Sequence, residues 1–115
     1  MIGPVGITYA VTWEEPDGSE RAGRLEFGPE ALTLEGRNSG LAVTHSFPYA
    51  EVRAFRIAIR NGDRLQGRPT LVLELRSGGA LRIAGVVQPG IVAELASRLG
   101  DERLHSLSDH ELLPS

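Results

Sequence analysis

The sequence contains no cysteine and no lysine, one methionine, one tryptophan and six aromatic residues among 115 positions. Without cysteine there are no disulfides, thiolate metal sites or cysteine nucleophiles, and stability must come from packing. A chain of 115 residues is long enough to bury one core unaided and too short for two. Long hydrophobic runs are missing as well. The longest, IAGVVQPGIVA, has 11 residues with Pro-Gly in its middle, against about 20 for a bilayer-spanning helix. The amino-terminal MIGPVGITYAVTWEE has no basic region ahead of its apolar residues and leads into acids, unlike an export signal. The expectation is a soluble, cytoplasmic protein. Basic charge rests entirely on 12 Arg against 15 acids, a net charge of −3. Strong attraction of the whole molecule to nucleic acid or to an anionic membrane is therefore disfavoured.

What the chain does have is turns: 14 Gly and 7 Pro punctuate short stretches of two-residue alternation, the mark of half-buried strands. Ile7, Tyr9, Val11 and Trp13 share one parity of a first strand. EEPDGSE reads as a turn, in which Glu14 and Glu15 stay solvated. Arg24–Phe27 is the return strand and Ala31–Glu35 a third, with Leu32 and Leu34 inward and Gly36 to Gly40 closing it. Leu41 to Phe47 alternates again up to Pro48. Phe55, Ile57 and Ile59 then point one way on a fifth strand, followed by the polar loop NGDRLQGRP. Leu71, Leu73 and Leu75 mark a sixth strand, which Ser77-Gly78-Gly79 joins as a hairpin to a seventh holding Leu81 and Ile83.

After Pro89-Gly90 the period changes. Ile91, Val92, Leu95 and Leu99 form one stripe of an amphipathic helix, with Gly100 as the residue expected to end it. Residues 1–100 thus make a single mainly β domain with a carboxy-terminal helix, and 101–115 a polar tail, disordered or briefly helical. Seven strands in a row must bend or close, because a flat sheet leaves edges and an apolar face in water. The helix is the natural cap.

The order of these elements resembles the pleckstrin-homology-like superfold, including its short bacterial and GRAM-like members. The residues that carry the resemblance are GRLEFGPEALTLEG, FPYAEVRAFRI, PTLVLELRSGGALRIAG and the PGIVAELASRLG helix, and the resemblance covers residues 5 to 100. The resemblance implies seven antiparallel strands in two near-orthogonal sheets, a bent barrel or sandwich capped by the helix. It implies a binding module, with no cofactor. The first hairpin, EEPDGSERAGR, has no lysine, whereas the lipid-binding members hold inositol phosphates with a Lys-rich hairpin, so membrane headgroups are not the expected partner.

Charge is unevenly spread. Residues 1–50 carry three Arg against seven acids, residues 51–85 seven against three, and residues 86–115 two against five. Within the basic segment Arg53, Arg56, Arg60, Arg64 and Arg68 recur every three or four positions. Folded together they would form a patch for carboxylate, phosphate or an acidic protein surface; otherwise they pair singly with acids across strands, at little gain. His105 and His110 are five apart, the wrong spacing for two ligands on one helical face. His45 shares parity with Val43 and Phe47 and reads as a half-buried residue satisfied by backbone. Ser46 lacks any nucleophile-elbow context. The leading expectation is a non-catalytic module acting through protein contacts or self-association; the alternative is a binder of an anionic or amphiphilic small ligand at the five arginines.

Overall fold

Alternating apolar side chains pay off only if one face of every strand is covered, and the chain achieves this with a single coiled sheet. The computed structural model describes residues 8–38, 40–58, 64–88 and 90–111, the side chains of 38 and 105–111 excepted. The strands are β1 (Thr8–Glu14), β2 (Glu20–Phe27), β3 (Ala31–Asn38), β4 (Leu41–Pro48), β5 (Val52–Ala58), β6 (Thr70–Leu75) and β7 (Ala80–Gly85), followed by helix α1 (Ile91–Glu111). A single 3-10 turn, Tyr49–Glu51, links β4 to β5. All neighbours are antiparallel, in the order β4-β3-β2-β1-β7-β6-β5. The fold is therefore mainly β with one carboxy-terminal helix, as the alternation implies. The expected two sheets are one hydrogen-bonded sheet, left open between β4 and β5 among the described residues.

Register puts the inward residues on one face. Tyr9 lies opposite Leu25 and Leu25 opposite Leu34, while Trp13 lies opposite Ile83 and Ile83 opposite Leu71. All are buried, and Val92, Leu95 and Leu99 of α1 complete the core. Full burial of each such side chain is worth at most about 1.5–3 kcal/mol before chain entropy is subtracted. The helix rests on β5, β6, β7 and β2. Among the described residues no helix is long and apolar enough to cross a membrane.

Three local expectations are corrected. The third strand does not end at Glu35 but runs through Gly36 to Asn38. A Cβ on Gly36 would stand 2.9 Å from Trp13 Cη2, so glycine here lets the indole lie against the strand. Gly100 does not end the helix, which continues to Glu111. A Cβ at position 100 would lie 3.5 Å from Phe55 Cζ, so this glycine faces β5 and is a packing residue inside the helix. Glu14 and Glu15 are not solvated turn residues. Glu15 is buried and accepts from Arg21 Nε at 2.6 Å, and Glu14 Oε1 accepts from Arg82 Nη1 at 2.9 Å.

Candidate functional site

Strand β5 is an edge with a fault in it. Val52 pairs with Leu75 and Ala54 with Glu74, so Arg53 is the extra residue of a β-bulge. The bulge shifts parity by one. Val52 therefore shares the core-facing side with Phe55 and Ile57, which stand opposite Leu73 and Leu71. Phe55 is half-buried at the edge of the core and Ile57 remains 39% exposed.

Beside this edge runs the second half of α1. Phe55, Gly100, Arg103 and Leu104 line an apolar groove of about 340 Å³, and Leu104 is 65% exposed. Arg103 joins the two walls of the groove. Its Nη2 donates to the carbonyl oxygen of Arg53 in the bulge at 2.9 Å, and its guanidinium carbon lies 6.0 Å from the Phe55 ring centroid. The cation over the aromatic face and the bond to the bulge fix the helix to the strand. An open edge strand offers unpaired N–H and C=O groups, and here it borders an apolar slot.

The five arginines of the basic segment are strung out. Arg53 Nη2 donates to Glu74 Oε1 across β5 and β6 at 2.5 Å, an exposed pair. Arg56 is exposed on β5, opposite Val72. Val72 is buried although it faces away from the helix, in register between Arg56 and Arg82. Arg60 lies outside the described residues. Arg64 and Arg68 belong to a segment folded onto the start of β6. Leu65 and Arg68 form a bridge around Gln66 and Gly67, both with positive φ (54° and 73°). Leu65 N–H donates to Thr70 Oγ1 at 2.7 Å, and Gln66 Nε2 reaches Glu20 Oε1 at 2.9 Å. Arg68 Nη1 donates to the carbonyls of Gly85 and Val86, both at 2.7 Å. Arg53 and Arg68 thus sit at opposite ends of β6, one on a carboxylate and the other on backbone.

A second polar cluster gathers residues from three strands or their ends. Glu15 receives Arg21 on Oε2, while His45 Nδ1 lies 3.5 Å from Oε1. His45 is half-buried, as its parity implies, and faces this carboxylate. Its ring also stacks on Phe47, with centroids 6.4 Å apart. Ser46 points to the other face, where its hydroxyl is 3.3 Å from Thr33 Oγ1, so His45 and Ser46 do not form a base and nucleophile. His105 and His110 fall on α1, and their side chains lie outside the described residues. Among those residues no three His, Asp or Glu side chains converge in a way that could hold a metal ion.

Two phenols are held protonated. Burial raises the pKa of Tyr49, reinforced by the Glu102 carboxylate, and its hydroxyl donates to the Gly28 carbonyl at 2.7 Å. Burial likewise raises Tyr9, with Glu94 adding to the effect. Both are structural. Tyr9 stands edge-on to Phe27 at 6.1 Å, and Arg98 covers the Phe27 ring at 5.6 Å.

No protein-family model matches the chain, and no curated protein matches it. Among solved structures it is similar to the carboxy-terminal domain of an unknown protein from Leishmania infantum, with TM-score 0.61 and 14% identity, covering 85% of this chain and 82% of that one. That likeness is one of fold.

Sequence reasoning missed the groove because it needs two facts that pattern alone conceals. The bulge at Arg53 realigns Phe55 with Val52, and the helix carries on past Gly100 to bring Arg103 and Leu104 alongside β5. A signal was present in DERL, which continues the spacing of Leu95 and Leu99 to Leu104 less regularly.

Proposed function

We propose that this protein is a non-catalytic interaction module of the pleckstrin-homology-like kind that binds an extended segment of a partner protein along β5. One observation carries the reading: the apolar groove of Phe55, Gly100 and Leu104 opens beside β5, whose outer side pairs with no strand among the described residues. A segment added to β5 would satisfy its edge groups, each backbone hydrogen bond giving about 0.5–1.5 kcal/mol net, and would set alternate side chains into the groove. The surrounding segment, residues 51–85, holds seven Arg against three acids, which favours a partner with acidic residues flanking an apolar one. A small anion is the weaker reading, because Arg53 and Arg68 already serve Glu74 and two backbone carbonyls.

Peptide display against the full chain tests this. The expected result is enrichment of extended sequences combining acids with a large apolar residue, whose binding is lost on Leu104→Glu. Failure to enrich any sequence, or enrichment indifferent to Leu104→Glu, contradicts the proposal.

A further inference from the structure

We infer that the outer edge of β4 is a twofold interface between two copies of this chain. This goes beyond the groove at β5 and does not rest on it. The argument begins with hydrogen-bond phase. Asn38 pairs with Leu41 across a connection of residues 39 and 40, and Gly40 has φ +85°. The pair that closes a two-residue hairpin is hydrogen-bonded. Bonded and non-bonded pairs then alternate, so Val43, His45 and Phe47 bond back to β3. The Tyr49 N–H donates to the Glu30 carbonyl at 2.9 Å, in the same phase. Ala42, Thr44 and Ser46 therefore turn their N–H and C=O groups to the free side, where no described strand pairs with them.

Edge strands are ordinarily guarded by charge, proline or a covering segment. The eight residues Leu41–Pro48 include no Asp, Glu, Lys or Arg, and the only proline is the last. Leu41 at the other end is 73% exposed. Such a strand is self-complementary about Thr44. With a twofold axis there, Thr44 meets Thr44 of the second copy and Ala42 meets Ser46. Each pair exchanges both of its outward bonds, and Pro48, which has no N–H, falls opposite Gly40 beyond the ladder. On the core-facing side Leu41 meets Phe47 and Val43 meets His45, which gives the exposed Leu41 an apolar partner. No like charges come together.

The other pairings are worse. Two β5 strands would have to meet along an edge whose register is broken at Val52/Ala54 and that carries the long side chains of Arg53 and Arg56 from both copies. A β4 strand on a β5 strand would leave an open edge at each end and propagate. The twofold β4 contact closes on itself. It is a narrow edge-to-edge interface, so its dimer is weak and concentration-dependent.

Two measurements on the full chain test the interface. Sedimentation velocity over a concentration series is expected to show a monomer–dimer equilibrium, weakened about tenfold or more by Thr44→Lys with the circular dichroism spectrum unchanged, and unaffected by Ile57→Lys on β5. Because the chain has no cysteine, register is readable by oxidation. Thr44→Cys places the new thiols across the axis and is expected to give a disulfide-linked dimer, whereas Ala42→Cys, facing Ser46 of the second copy, is not. A wild-type monomer at every concentration, a dimer indifferent to Thr44→Lys, assemblies larger than a dimer, or equal cross-linking at positions 42 and 44 would overturn the inference.

Discussion

The Trp13 indole lies against Gly36 so closely that a Cβ on the glycine would stand 2.9 Å from its Cη2 atom and 2.7 Å from the Ala22 carbonyl oxygen. Gly36 pairs with Gly23 across β3 and β2, and a Cβ on Gly23 would come within 2.0 Å of the Glu35 carbonyl oxygen. Two facing glycines allow the strands to bend around the largest side chain in the core. On the same sheet, His45 of β4 meets Glu15 at the end of β1, 3.5 Å from its Oε1.

Gly36→Ala is therefore expected to cost about 1–3 kcal/mol, the usual penalty for overpacking a filled core. Equilibrium urea unfolding followed by Trp13 fluorescence measures it. Gly90→Ala, where a Cβ meets nothing within 4 Å, serves as the control and is expected to leave the midpoint nearly unchanged.

Arg68 and Arg53 should behave differently despite their similar place in the sequence pattern. Arg68→Ala leaves the carbonyls of Gly85 and Val86 without their charged donor, an expected loss of about 1.5–3 kcal/mol. Arg53→Ala breaks an exposed pair with Glu74, whose expected contribution is about 0–1 kcal/mol. Thermal unfolding of the two variants side by side separates a structural arginine from a surface one.

Acid should weaken the fold through two loop carboxylates. The hydroxyl and N–H of Ser77 hold Glu51 below its ordinary value of 4.5, and the N–H and hydroxyl of Ser19 hold Asp17 below 3.8. A carboxyl with a lowered pKa in the folded state stabilises fully above its unfolded value and loses that contribution as pH falls through the folded value. Urea midpoints should thus decline as pH drops below the ordinary carboxylate range, and Glu51→Gln should flatten part of that decline. A variant curve parallel to that of the wild type would remove Glu51 from the account.

Much of the fold was legible in the residues, because alternation needs only local information. Leu71, Leu73 and Leu75, or Val92, Leu95 and Leu99, declare their face by spacing alone, and all are buried. Misreadings arose where a glycine had two possible meanings. Gly36 and Gly100 look like terminators, yet the strand and the helix run through them: Gly36 is the small residue that admits the Trp13 ring, and Gly100 faces Phe55 at ordinary contact distance. The contacts of the candidate site were less legible still. Arg68 finds its carbonyls 17 and 18 residues away, and Arg103 reaches a carbonyl 50 residues away. Spacing along the chain carries no record of such partners, nor of the bulge that turns Phe55 toward the helix.

The most direct test of the central claim is an amide NMR titration of the isotopically labelled full chain with a peptide selected by display. The account predicts saturable shifts concentrated in Val52–Ala58 of β5 and around Gly100 to Leu104 of α1, abolished in Leu104→Glu. Shifts centred instead on the outer face of β2 and β3, around Arg24, Glu35 and Arg37, or no saturable shifts at all, would contradict it.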